Sequence, residues 1–148
     1  MKIVVHICSF NGKNYKERFS YLKKIVQSYN EIDKNIQVFI HTNKITSKYK
    51  VKKANYILHN LKNENPFYLA WKCRPLIEKQ KNKFDYFIYS EDDILFTKKN
   101  FKYWLDFKDI CLKHNYNLGF LRIEKKKDKS FSTDLFQKMK YKTFIKGK

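Results

Sequence analysis

Residues 84–93 read Phe84-Asp85-Tyr86-Phe87-Ile88-Tyr89-Ser90-Glu91-Asp92-Asp93. Aromatic and β-branched side chains dominate Phe84–Tyr89, the composition of a strand buried on both faces. That strand runs directly into three consecutive carboxylates. Successive side chains of extended backbone alternate sides, so Glu91 and Asp93 point one way and Asp92 the other. Adjacent carboxylates repel one another unless a cation or a hydrogen-bond network offsets them. A hard divalent cation, Mg²⁺ or Mn²⁺, takes oxygen ligands of this kind. One or two carboxylates plus a diphosphate nearly complete its coordination shell. The plain alternative is a solvated acidic turn ahead of a helix, where acids also suit the helix dipole.

Moving outward, strand and helix patterns alternate. Ile3–Ser9 is an apolar β-rich run, and Asn11-Gly12 signals a turn. From Tyr15 the apolar residues Phe19, Leu22, Ile25, Val26 and Tyr29 recur at helical spacing. Ile36–His41 predicts a second strand and Tyr56–Leu58 a third. Pro66 opens a helix whose Phe67, Ala70, Trp71, Arg74 and Ile77 share a face, with Pro75 predicting a kink or a break. On that face Trp71 reads as core rather than as a stacking platform. Thr97 is placed to cap a helix carrying Phe101, Trp104, Leu105, Lys108, Cys111 and Leu112. Leu118–Ile123 predicts a fifth strand. The order implies one α/β domain, Rossmann-like, with a mainly parallel sheet and helices on both faces. Ligands of such sheets bind beyond the strands' carboxyl ends. That edge would carry Ser9–Lys13, His41–Asn43, Asn60 and Ser90–Asp93.

Composition narrows the field less than it first suggests. The 148 residues fit one domain, 1–148, with residues 124–148 as a basic tail. Lys and Arg number 33 against 14 Asp and Glu, a net charge of +19. Such a surface attracts phosphate in nucleotides, nucleic acid or anionic lipid without choosing among them. No nucleic-acid-binding module is visible, so no nucleic acid is expected as partner. The three cysteines are scattered, as in buried reduced thiols of a cytoplasmic protein. No apolar stretch is long enough to span a bilayer, although the basic tail suits the anionic inner face of a membrane. No zinc-finger, zincin or P-loop spacing occurs.

The stretch from Tyr86 through Glu91-Asp92-Asp93 to Phe101 and Trp104 resembles the metal-binding segment of GT-A fold glycosyltransferases. It is especially similar to those that write the D-x-D motif as E-D-D, such as the N-acetylglucosaminyltransferase I type. Pro66–Arg74 is similar to the helix preceding this strand in bacterial and viral glycosyltransferase-like proteins. Ser9-Phe10-Asn11 resembles the family's nucleotide-facing loop. The resemblance covers roughly the first five-sixths of the chain, as in a short or truncated version of the fold. It implies a metal-dependent glycosyltransferase carrying out hexosyl or N-acetylhexosaminyl transfer. The donor would be a nucleoside-diphosphate sugar and the acceptor a glycan or lipid-linked molecule. By the same resemblance Asp93 would bind Mn²⁺ or Mg²⁺ and the donor diphosphate, and Glu91 and Asp92 would contact the donor.

Further candidates at the ligand edge are Ser9, Asn11, His41 and Asn43 for donor binding. Arg74 is either a donor-phosphate contact or one half of a structural ion pair. An acceptor also needs a general base. Glu124 and Asp134 are the candidates downstream of the acidic run, with a salt bridge to Lys125–Lys127 as the alternative for Glu124. A chain that binds a donor without transferring it, a scaffold, is the competing reading. His6, mid-strand, reads as a core or inter-strand hydrogen-bonding residue, and His59 and His114 as ordinary loop and helix-end residues.

Overall fold

The computed structural model describes residues 1–62, 64–126 and 129–132. The chain divides into two compact units, Met1–Phe101 and Lys102–Lys148. The first unit holds a four-stranded, all-parallel sheet of β1 (Ile3–Cys8), β2 (Gln37–Thr42), β3 (Asn55–Leu58) and β4 (Tyr86–Glu91) in the order β3-β2-β1-β4. Its helices are α1 (Tyr15–Asn30), α2 (Leu69–Lys72) and α3 (Arg74–Gln80), with 3₁₀ turns at Ser47–Tyr49 and Pro66–Tyr68. The α/β class and the parallel sheet expected from the sequence are present.

All six residues of β1 are buried, which requires cover on both faces of the sheet centre. Ile3, Val4, Val5 and Ile7 are buried, as are Leu22, Ile25, Val26 and Tyr29 of α1 and Val38 and Ile40 of β2. Burying each such side chain contributes about 1.5–3 kcal/mol. The α1 residues in this group are those whose three- and four-residue spacing announced the helix.

Two expectations need correction, the burial of β4 and that of Trp71. β4 is not buried on both faces: Phe87 and Tyr89 stand 37% and 47% exposed on one side. Its aromatic content reflected strand propensity, which burial does not have to follow. The helix opened by Pro66 breaks next to Pro75, as expected, into α2 and α3 at Cys73, with Pro75 in the first turn of α3. Leu69 and Cys73 face inward there, whereas Phe67 and Trp71 are 86% and 58% exposed. The inward face of this segment runs through Leu69, Cys73 and Ile77, of which the sequence reading had Ile77 alone. Trp71 is therefore not core.

The division between the units falls within α4 (Lys98–Lys113). Thr97 caps this helix as expected. Its backbone N–H donates to Asn100 Oδ1 at 2.9 Å, and Asn100 N–H donates back to Thr97 Oγ1 at 3.4 Å, a reciprocal capping box. Asn115 ends the helix in the left-handed region at φ 59°, and Tyr116 N–H closes on Cys111 O at 3.0 Å. The expected fifth strand at Leu118–Ile123 is not formed. Instead β5 (Ile123–Lys126) pairs antiparallel with β6 (Lys129–Ser132). The apolar run Leu118–Ile123 marked a hydrophobic segment, and hydrophobicity alone does not supply a pairing partner. Most of the basic tail, Asp134 included, lies outside the described residues.

Candidate functional site at the carboxyl ends of β1 and β4

The chain steps outward from β1 to β2 to β3, then returns to lay β4 on the other side of β1. Between β1 and β4 the strand order therefore reverses, and the loops leaving the two strands diverge. Ligands of open parallel sheets bind in such a crevice, beyond the carboxyl ends. The register sets Ile7 opposite Ser90 and Cys8 opposite Glu91. The next residues, Ser9 and Asp92, therefore leave their strands side by side.

Asp92 is fully buried, while Glu91 and Asp93 on either side of it are exposed, the alternation expected from extended backbone. Ser9 Oγ donates to Asp92 Oδ2 at 2.7 Å. Arg18 of α1 donates through Nη2 to Asp92 Oδ1. The same nitrogen stands 3.7 Å from Asp93 Oδ2. Arg18 thus ties the buried carboxylate to the open one. Burial pushes the Asp92 carboxyl above its usual range, with Ser9 and Arg18 opposing the shift and Asp93 adding to it. Both Asp92 oxygens are engaged inside the protein. Its role here is to hold the acidic turn against β1 and α1.

Asp93 differs. Its side chain is 58% exposed, and Arg18 meets it from one side. Among the described residues no three His, Cys, Asp or Glu side chains gather into a metal-holding group. The donor set fits a divalent cation in one form, with Asp93 as a partial ligand and phosphate oxygens completing the shell.

The remaining sequence candidates fall into two groups. Asn11 and Asn43 lock the neighbouring loops together: Asn11 N–H donates to Asn43 Oδ1 at 2.7 Å, and Asn43 Nδ2 donates to Asn11 O at 3.4 Å. They frame the crevice from the β2 side. His41 is fully buried with its ring nitrogens against His6 and His59, so its side chain is turned to the interior. Arg74 stacks its guanidinium 3.7 Å from the Trp71 ring centre, where a structural ion pair had been the alternative. Glu124 is exposed on β5 of the second unit.

Two residues escaped the sequence reading. Arg18 is one of three arginines in a chain where lysine supplies nearly all the positive charge. That rarity, and its place in the first turn after β1, were the available signals. His59 was read as an ordinary loop residue, yet its Nε2 lies 2.7 Å from His41 Nδ1. Its position just past the end of β3, two residues beyond Ile57, the register partner of His41, was the missed cue. Comparison with known proteins returns no matching family model, no matching characterised protein and no matching solved structure.

Proposed function

We propose that the crevice between β1 and β4 binds the diphosphate of a nucleoside-diphosphate sugar together with Mn²⁺ or Mg²⁺, and that the protein is a glycosyltransferase of GT-A type. The observation that carries this reading is the division of labour in the acidic turn. Asp92 is buried and engaged, and the engagement presents Asp93 to solvent beside Arg18. A merely solvated acidic turn would not require a fully buried central carboxylate with two partners.

In this reading Asp93 holds the cation from the protein side. A divalent ion there would neutralise charge that develops on the leaving diphosphate. Arg18 keeps N–H groups beyond those used by Asp92 and can direct them to phosphate oxygens in a fork. Ser9 and Asp92 fix the turn, so that Asp93 and Arg18 need not reorganise on binding. Glu91, also exposed, would contact the donor. Asn11 and Asn43 shape the neighbouring wall. The acceptor remains a glycan or a lipid-linked molecule, with the basic chain suited to an anionic surface.

One observation favours the narrower reading of donor binding without transfer. Both oxygens of Asp92 are engaged by Ser9 and Arg18, so this buried carboxylate is not open to take an acceptor's proton. The two readings part on a single assay. With sugar nucleotide and Mn²⁺ present, a transferase releases free nucleoside diphosphate through transfer or slow donor hydrolysis. A binding domain leaves the donor intact. Both readings share the first test, a thermal-shift screen of nucleoside diphosphates with and without Mn²⁺. One nucleotide is expected to raise the melting temperature only when the metal is present. A screen in which no nucleotide stabilises the protein would overturn both.

A further inference from the structure

Three imidazoles lie in series across the sheet, away from the acidic turn. His6 Nδ1 is 2.9 Å from His41 Nε2, and His41 Nδ1 is 2.7 Å from His59 Nε2. His6 and His41 are fully buried, and His59 is half-buried. The rings stack as well, His41 on His59 at 5.0 Å and His6 on Phe39 at 5.5 Å. A neutral imidazole carries one N–H and one lone pair. Two N···N bonds in series therefore fix one polarity for the whole chain. Either every Nε2 bears the hydrogen or every Nδ1 does.

The inner end selects between them. His6 Nε2 and Gln80 Oε1 are both buried and neither meets a hydrogen-bond partner among the described residues, while Gln80 is near enough to act on the His6 ring. A carbonyl oxygen only accepts. A hydrogen on His6 Nε2 therefore serves both atoms, whereas a lone pair there would set acceptor against acceptor. Gln80 is also the neighbour that favours the protonated ring of His6. Once Nε2–H is set at His6, it is set at His41 and His59. The outer end is then the Nδ1 lone pair of His59.

The surroundings keep the chain neutral. Burial depresses all three imidazoles; His41 is pushed down to about 3, with its two neighbouring rings adding to the effect. Lys72 of α2, itself paired with Glu64 at 3.0 Å, opposes charge on His59. From α3 the facing group is Gln80, from β2 Phe39, and among the described residues no carboxylate acts on any of the three rings. The backbone beside the chain ties the strand ends together. Ser9 N–H donates to His41 O at 2.9 Å, and His59 N–H donates to Thr42 O at 2.8 Å.

We propose that Gln80, His6, His41 and His59 form one directional hydrogen-bond chain, each imidazole carrying its hydrogen on Nε2, that clasps the carboxyl ends of β1, β2 and β3 and releases them in acid. The first added proton goes to His59 Nδ1, the lone pair no bond uses, and leaves the chain intact. A second must take a lone pair of His41 or His6 that already accepts a hydrogen, and this breaks the clasp. Ser9, which anchors Asp92, loses its neighbour at that step.

The test uses the full chain labelled with ¹⁵N, needs no ligand, and so stands or falls apart from the donor-binding reading. Two-bond imidazole correlations at neutral pH are expected to show the Nε2–H tautomer at all three histidines. Below pH 6.5, the ordinary imidazole value, protection of the Ser9 and His59 amides against exchange is expected to fall about tenfold per pH unit. Gln80→Met, which keeps the bulk and removes the acceptor, is expected to mix the two tautomers. Nδ1–H tautomers in the wild type would overturn the polarity. Protection independent of pH, or a Gln80→Met chain with unchanged tautomers, would overturn the clasp and its inner anchor respectively.

Discussion

Two buried polar clusters stand on the same sheet edge and solve opposite problems. At the β1–β4 corner, Asp92 carries a charge into the interior and meets it with Ser9 and Arg18. Across β1, β2 and β3, the three histidines avoid charge altogether and satisfy one another. The charged cluster spills outward, because Arg18 reaches a second, exposed carboxylate at Asp93. The neutral cluster closes inward on Gln80. A polar cluster with valence left over at the surface can take a ligand. One whose inner bonds are spent on its own members holds the fold, and holds it at a pH that keeps those members neutral.

The sharpest way to break the comparison is to remove the charge. Asp92→Ala leaves Ser9 and Arg18 facing an empty buried pocket. The expected loss is about 3 kcal/mol, reduced from the fully buried case because Arg18 can turn toward solvent. Urea unfolding measures it. A loss below about 1 kcal/mol would mean that Asp92 does not anchor the turn.

Acid should strike the neutral cluster next. His41 binds a proton less readily folded than unfolded, with about 3 against an ordinary 6.5. The unfolded chain therefore takes up the proton first. The contribution is intact above pH 6.5 and is lost as pH falls toward 3. Between pH 6.5 and 5 this one group accounts for about 2 kcal/mol of lost stability. Urea melts at the two pH values read it, and equal midpoints would contradict a neutral His41.

Arg18→Lys keeps the charge and loses the fork. It is expected to cost about 1 kcal/mol, with a larger relative loss of nucleoside-diphosphate affinity. A variant weakened in folding alone would confine Arg18 to a structural role. The smallest effect belongs to Trp71→Ala, expected to change stability by less than about 1 kcal/mol because the ring is mostly exposed and is covered chiefly by Arg74. A loss of several kcal/mol there would restore the core reading that the exposure rejects.

How much of this was legible beforehand follows from what each signal measures. Helical periodicity records which side chains face inward, so Leu22, Ile25, Val26 and Tyr29 gave α1 its place. The two-residue alternation of a strand separated Asp92 from Glu91 and Asp93 without knowledge of what Asp92 would meet. Its partners, Ser9 and Arg18, are 83 and 74 residues away, and no local pattern encodes such a meeting. The histidine chain was hidden for the same reason, its bonds spanning 35 and 18 residues. The errors at Trp71 and at Leu118–Ile123 share a cause. Hydrophobicity was read as burial or pairing, whereas Trp71 stands 58% exposed and, of Leu118–Ile123, Ile123 joins a described strand and the preceding residues do not.

The central claim is that Asp93 is the open half of a pair whose closed half is Asp92. Isothermal titration of the stabilising nucleoside diphosphate, with and without Mn²⁺, tests it on the wild type and on Asp93→Asn. The variant exchanges one exposed oxygen for an amide and should fold within about 0.5 kcal/mol of the wild type. Binding is expected to require Mn²⁺ in the wild type and to lose its metal dependence, with most of its affinity, in the variant. Equal binding by both proteins would contradict the assignment, and affinity that falls steeply with salt but ignores Mn²⁺ and Asp93 would point instead to charge attraction by a basic chain.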